Sequence, residues 1–188
     1  MTHFLFAYRG WFLFGCYAIA AVFRLIGDKP INHAGLWLIL GGWGIRLTAG
    51  FYIADHTNEK NFSGPSLART GVYGLTRNPL YLGNLLASEG FLIFANCLAW
   101  PFHLTLIALV FFYYRELVRG EERYLEKTFG REYDQYLKTV PRWFNATSFF
   151  KKHAWTPATP FSEVLRIQFP NLLLSAAAVL CLWFLSIF

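Results

Sequence analysis

Residues 80–114 constrain the fold more than any other part of the chain. They form one long apolar stretch, interrupted by Asn96 and Pro101. A bilayer hydrocarbon core about 30 Å thick is crossed by roughly 17–25 helical residues. The stretch is too long for one crossing and predicts a helical hairpin with arms at 80–96 and 100–114. Three further apolar segments flank it, at 10–26, 35–54 and 169–188. The expected architecture is an all-α integral membrane protein, one domain over residues 1–188, with about five transmembrane helices.

Composition points the same way. Hydrophobic residues make up 55% of the 188 and charged residues 15%, against roughly 45–50% and about 25% in soluble domains. That balance excludes an ordinary soluble domain, and equally a disordered chain. The 20% aromatic content suits a protein with Trp and Tyr at two water interfaces. The net charge of +6 would suggest nucleic acid in a soluble protein. Here the basic residues lie between apolar runs, so an anionic membrane leaflet is the expected partner and nucleic acid is not.

Of the 17 Lys and Arg, all but Arg24, Lys29 and Arg46 fall on one side of the expected spans. The positive-inside rule makes that side cytoplasmic. The N-terminus is then cytoplasmic and the C-terminus on the opposite side. The first run reads as a retained span rather than a cleaved leader, because only Arg9 precedes it as a basic residue. Two cytoplasmic segments remain, 55–79 and 115–168, and the chemistry is expected there. The second opens as a helix continuing from the fourth span, until Pro141, Pro157 and Pro160 break regular structure.

Cys16, Cys97 and Cys181 lie in or beside apolar segments without a CxxC spacing. They read as small buried hydrophobes rather than a disulfide or zinc framework. His3, His33, His56, His103 and His153 share no close spacing, so no metal site is expected. His56, just after the second span, reads either as a proton acceptor or as an interfacial structural residue.

Two motifs carry chemical information. The first is Gly71-Val72-Tyr73 followed by Arg77-Asn78-Pro79-Leu80-Tyr81-Leu82-Gly83, at the entrance to the third span. Proline suits the first turn of a helix, where its missing N–H is no loss. A helix N-terminus favours anions, and Arg77 adds a planar, bidentate donor. Gly83 would let a ligand approach the backbone. The same residues also read as an interfacial Arg/Tyr anchor followed by a helix cap. The second motif is Glu121-Glu122, then Phe129-Gly130-Arg131-Glu132-Tyr133 and Tyr136. Adjacent residues on a helix do not face each other. The glutamates are therefore no carboxylate dyad; they read either as one residue at a site with the other in water, or as part of a solvated charged helix.

Taken together, Gly71-x-Tyr73, Arg77-x-Pro79-x-Tyr81-x-Gly83, Glu121-Glu122 and Phe129-Gly130-x-x-Tyr133-x-x-Tyr136, ending at Val140-Pro141-Arg142, resemble the isoprenylcysteine carboxyl methyltransferase and phospholipid methyltransferase superfamily. The resemblance covers about residues 65–143. It implies an S-adenosylmethionine-dependent methyltransferase acting on a membrane lipid or lipidated acceptor, with a cytoplasmic helical cofactor-binding region. It carries cofactor contacts onto Tyr73, Asn78, Pro79, Tyr81, Gly83, Glu121 and Glu122; Arg77, Glu121 and Glu122 are also the candidate catalytic residues. The family's usual Arg-His-Pro stands here as Arg77-Asn78-Pro79, and an amide does not titrate near neutrality. Gly41-Gly42-Trp43-Gly44 follows no strand and reads as a close helix-packing segment.

Arg46 and Glu89 lie deep in the second and third spans. Intramembrane charges cost about 2.5–3.5 kcal/mol each on insertion scales and usually pair or face a cavity. The two are expected to be neighbours, as an ion pair locking two helices, with Arg46 also a candidate for an anionic headgroup and for catalysis. Glu89, Arg142 and His56 join Arg46 as candidate substrate-binding residues. Arg46, Arg77 and Arg142 favour an anionic acceptor, a carboxylate or lipid phosphate. For a lipid amine such as phosphatidylethanolamine, Glu121 or Glu122 is the candidate base. Two other classes fit less of the pattern. An NADPH-dependent reductase of the steroid-reductase type would share the arginine–proline–tyrosine segment. A non-enzymatic membrane protein would account for Arg46 and Glu89 alone.

Overall fold

The computed structural model describes residues 9–26, 30–53, 66–97, 100–143, 157 and 159–187. The described residues are helical, with no strand. Six α-helices and a short 3-10 turn follow in order: α1 (Arg9–Ile26), α2 (Ala34–Tyr52), the 3-10 turn (Gly71–Gly74), α3 (Pro79–Phe94), α4 (Trp100–Phe129), α5 (Arg131–Thr139) and α6 (Phe161–Phe184). The expected hairpin is present as α3 and α4. Its first arm ends at Phe94, where Asn96 turns the backbone left-handed (φ 58°) and donates from Nδ2 to the Pro30 carbonyl at 2.7 Å.

α4 runs on to Phe129 without a break, the expected continuation of the fourth span, about 45 Å at 1.5 Å per residue, well beyond a bilayer core. One element differs in length from the sequence reading. α6 begins at Phe161, eight residues before the expected 169, and carries Pro170 inside it. Apolarity had marked only the part suited to hydrocarbon; the preceding turns, with Glu163 and Arg166, are helical as well. Only α2 and α6 are both long and apolar enough to cross a bilayer among the described residues. α3, at 16 residues, spans about 24 Å. α6 exposes Phe169, Leu173, Leu180 and Trp183, a surface suited to lipid rather than water. Cys97 is buried as expected, but Cys181 is exposed on α6, and the Cys16 side chain lies outside the described residues.

α2 and α3 are antiparallel and meet backbone to backbone. A Cβ on Gly42 would lie 2.6 Å from the Gly83 carbonyl oxygen and 2.7 Å from the Ala87 nitrogen. On Gly83 it would lie 2.7 Å from the Gly42 carbonyl and 2.8 Å from Arg46 Cγ. Gly35 and Gly90 repeat the contact towards the far end, where Asn32 N–H bonds the Phe94 carbonyl at 3.1 Å. Small residues at such spacing let helices approach without side chains between them. The glycine segment of α2 therefore does pack helices, through Gly42. Gly44 meets nothing within 4 Å. The ligand-approach reading of Gly83 is corrected: its open side is filled by α2.

The largest cluster of buried side chains joins five helices: Tyr17 of α1, Trp43 of α2, Phe91 of α3, Tyr114 and Leu117 of α4, and Leu182 of α6. Polar contacts set the register of α6. Ser175 Oγ and Tyr17 Oη are 2.6 Å apart and buried, and Gln168 reaches Arg46. At the start of α6 the Thr159 N–H bonds the Phe51 carbonyl at 3.1 Å, its hydroxyl donates to the Ile53 carbonyl, and Phe161 stacks on Phe51. The exposed carbonyls at the α2 C-terminus are thus satisfied by the segment entering α6.

The glycine contact predicts a sharp positional contrast. Gly42→Ala is expected to lower stability by about 1–3 kcal/mol, because the obstructing atoms are backbone and cannot step aside. Gly44→Ala, two residues away in the same helix, is expected to be neutral or to raise it by about 0.5–1 kcal/mol. Thermal unfolding of the detergent-solubilised variants checks both.

Candidate active site

Pro79 takes the first position of α3 and Asn78 its N-cap, but the Asn78 side chain does not cap the helix. It donates from Nδ2 to the Arg142 carbonyl at 2.8 Å. Thr76 Oγ1 donates to the same carbonyl at 3.3 Å, and Arg77 N–H to the Pro141 carbonyl at 3.0 Å. Residues 76–78, far away in sequence, are thereby sewn to the backbone of residues 141–142.

The side chains close the seam. Glu122, on the extension of α4 beyond the expected fourth span, accepts from Arg77 Nη1 through Oε1 at 3.0 Å. The same oxygen accepts from Arg142 Nε at 3.1 Å, and Oε2 accepts from Arg142 Nη2. A planar guanidinium matched to both carboxylate oxygens is the strongest form of this pair. Glu122 and Arg77 are mostly buried and Arg142 half-exposed. The neighbouring Glu121 accepts from Tyr81 Oη through Oε2 at 3.1 Å. Both glutamates therefore engage the Arg77–Gly83 segment, against the expectation that one would face water. About 100° apart around α4, they straddle the incoming end of α3, one meeting Arg77 and the other Tyr81.

The floor of the site comes from α5 and the 3-10 turn. Gly130 has φ +48°, the left-handed region that glycine occupies without strain, and this separates α5 from α4. α5 then lays Tyr133 and Tyr136 inward. Tyr136 donates to the Tyr73 carbonyl at 2.7 Å. Gly71, at φ +55°, abuts the Tyr52 ring at the end of α2. A cleft of about 470 Å³ opens between α4 and α5, lined by Glu116, Arg119, Glu122 and Arg123 of α4 and Tyr133 and Leu137 of α5. That volume is within the usual range for small-molecule sites.

The remaining expected residues lie elsewhere. Arg46 is buried between α2, α3 and α6, with Nη1 bonded to Asn84 Oδ1 and Nη2 to Gln168 Oε1 at 2.9 Å; its guanidinium carbon sits 4.9 Å from the Trp43 ring. The expected Arg46–Glu89 pair does not form. Glu89 pairs with His103 at 2.6 Å, and His103 Nε2 donates to the Cys97 carbonyl at 2.6 Å. Glu89 follows Asn84 by five residues, about 140° around α3, so it faces α4 while Asn84 faces α2. Glu89 thus belongs to the end of the bundle away from Arg77. His56 lies outside the described residues. Sequence reasoning missed Asn84, Gln168, Thr76 and His103. Asn84 is polar inside an apolar run, which was the available signal; Gln168 stands just ahead of the expected span at 169 and carried none.

Burial pushes the Tyr133 phenol up from 10 to about 12, the Glu122 carboxylate adding to the rise and Arg77 opposing it. Tyr136 is raised as well, first by burial and then by Tyr133. A pKa raised in the folded state contributes stability that is complete below the unfolded value and lost as pH climbs through the folded one. The protein is therefore expected to lose stability between pH 10 and about 12. Tyr133→Phe should remove part of that loss. Unfolding measured alongside tyrosinate absorbance in an alkaline titration checks it.

Residues 31–132 match a family model described as phospholipid methyltransferase. The cobalt-zinc-cadmium resistance protein CzcN of Cupriavidus metallidurans is 31% identical over 129 residues, 64% of this chain and 55% of that protein. Protein-S-isoprenylcysteine O-methyltransferase B of Arabidopsis thaliana is 31% identical over 116 residues, 59% of this chain and 57% of that protein. The chain spans somewhat over half the length of these curated relatives. No solved structure gives a significant match. The family match covers more than half of the chain and contains the Arg77–Gly83 segment and both glutamates, and the chain belongs to the phospholipid methyltransferase family.

Proposed function

We propose that the protein is an S-adenosylmethionine-dependent methyltransferase that acts on a lipid or lipidated acceptor at the cytoplasmic face of a membrane, with about five helices crossing the bilayer. The observation that carries this reading is the convergence of Arg77, Tyr81, Glu121, Glu122 and Arg142 on one spot, inside a family of methyltransferases.

The residues present suit the cofactor. Its methionine part carries an ammonium, a carboxylate and a sulfonium, and the site offers paired carboxylates, arginines and tyrosine rings beside a cleft of about 470 Å³. Tyr81, Glu121 and Tyr73 would hold it, with Pro79 and Asn78 shaping the entrance. S-adenosylmethionine supplies an electrophilic methyl group on a positively charged sulfur.

The chain's own contribution is position and polarity. Glu122 has both oxygens engaged by arginines, so it orients Arg77 and Arg142. Glu121 accepts a hydrogen bond from the Tyr81 phenol through Oε2 and is the candidate base for an ammonium acceptor. A carboxylate or lipid phosphate acceptor needs no base, and alignment in a water-poor pocket suffices. Asn78 holds the Arg142 carbonyl and moves no proton. The basic residues of the 115–168 segment would face the anionic leaflet.

Purified protein given labelled S-adenosylmethionine and a total lipid extract is expected to label an organic-soluble product. Tyr81→Phe and Glu121→Gln should each weaken cofactor binding by about 3–10-fold, the value of one hydrogen bond. Absence of both transfer and cofactor binding in the unmodified protein would overturn the reading. NADPH binding in its place would point to the reductase class.

A further inference from the structure

Three polar side chains from three different helices meet inside the bundle, away from the Arg77–Glu122 seam. Arg46 of α2, Asn84 of α3 and Gln168 of α6 are buried, at 9%, 5% and 5% exposure. Each lies at a similar level below the same end of the bundle. Arg46 is six residues before Tyr52, Asn84 five after Pro79 and Gln168 seven after Phe161, about 7–11 Å along each helix. Gly83 makes the meeting possible, since the Arg46 stem occupies the space its side chain would fill.

The hydrogen-bond chemistry of the cluster is one-sided. A guanidinium has donors and no acceptor. It draws the amide oxygens of Asn84 and Gln168 towards itself, which turns both amide nitrogens outwards. Among the described residues, those two nitrogens have no hydrogen-bond partner. The result is a positive charge flanked by two unused N–H₂ groups, all donors, at a depth where polar groups are costly unless matched. An anionic oxygen is the ligand that fits such an array. Asn84 also sits less than one turn beyond Tyr81, so a group anchored there is within reach of the Tyr81–Glu121 pair.

We propose that Arg46, Asn84 and Gln168 form an anchoring site for an anionic oxygen, a phosphate or carboxylate, of the methyl acceptor. The proposal deepens the methyl-transfer reading and rests on it for the identity of the occupant as acceptor. Gln168 and Asn84 are positioning and recognition residues under this assignment, and Gly83 is the residue that admits Arg46.

The full chain in neutral detergent is titrated with dihexanoyl phosphatidic acid, with dihexanoylglycerol of the same chain length, and with inorganic phosphate. Trp43, beside the Arg46 guanidinium, reports binding as the fluorescence change that Trp43→Phe abolishes. S-adenosylmethionine binding is measured on the same samples. Phosphatidic acid is expected to saturate the signal and dihexanoylglycerol to leave it unchanged. Inorganic phosphate giving the same signal identifies a site for the free anion, and silence identifies one for the lipid headgroup; either supports the donor array. Gln168→Glu keeps an oxygen for Arg46 but replaces the free amide with negative charge. It is expected to weaken phosphatidic acid binding at least about tenfold with cofactor binding unchanged. Asn84→Asp makes the same test from α3 if the first variant does not fold. Equal binding of dihexanoylglycerol, no binding by the unmodified protein, or unweakened binding by the folded variants overturns the proposal. Anion binding without S-adenosylmethionine binding instead overturns the methyl-transfer reading and leaves the anion site standing.

Discussion

Two helices can share a backbone-to-backbone contact only where neither carries a side chain, and this bundle is organised around one such contact. Gly42 and Gly83 press the middles of α2 and α3 together, and Gly35 and Gly90 repeat the contact further along. In lipid, helix association draws little from the hydrophobic effect and depends on close packing and on polar bonds between helices. The glycine seam supplies the first. It also sets how far Arg46 projects past α3 and which turn of α3 it meets. Because the start of α3 is the start of the Arg77–Gly83 segment, the seam fixes where Tyr81 and Pro79 stand relative to α2, the 3-10 turn and α6.

A second constraint is electrostatic. Glu122 shares one carboxylate between two guanidiniums, and Glu121 stands beside it with Tyr81. Two arginines and two glutamates leave the cluster without net charge. It is therefore held together without the self-repulsion that Arg77 and Arg142 would otherwise suffer at close range. The pairs are largely shielded from water, where screening is weakest. The bonds from the Thr76 and Asn78 side chains and from the Arg77 N–H to the carbonyls of residues 141–142 carry the same connection without charge. They explain how an asparagine serves at a position where the superfamily usually has histidine: an amide N–H₂ can donate to a carbonyl as an imidazole N–H can.

Much of the helical layout was legible because apolar runs and proline positions are local properties. Pro79 opening α3 and the α3–α4 hairpin followed directly from them. The residues of the seam were legible as a motif, and the structure brings Arg77, Tyr81, Glu121, Glu122 and Arg142 together. Partner choice was not legible. Arg46 and Glu89 are both charged and both deep, which made an ion pair the natural expectation, yet the five-residue step from Asn84 to Glu89 turns the carboxylate towards His103. Gly83 shows the same limit. Its freedom from a side chain was evident, but whether a ligand or another helix takes that space depends on the packing of α2. The early start of α6 was hidden because Glu163 and Arg166 interrupt the apolar signal without interrupting the helix.

The stitches between residues 76–78 and 141–142 also impose an order of events on synthesis. A growing chain emerges and folds from its N-terminal end. The α2–α3 contact can form as soon as α3 has been made, since its partners are close in sequence. The Arg77 side of the site must then wait, half-built, while α4 and α5 are translated, because Glu122 and Arg142 come later. Contacts of such large sequence separation form late. A nascent or truncated chain ending before Pro141 would hold α1 to α5 and the glycine seam but neither α6 nor the closed cluster, so Arg77 meets its full set of partners only after α4 and α5 have been made.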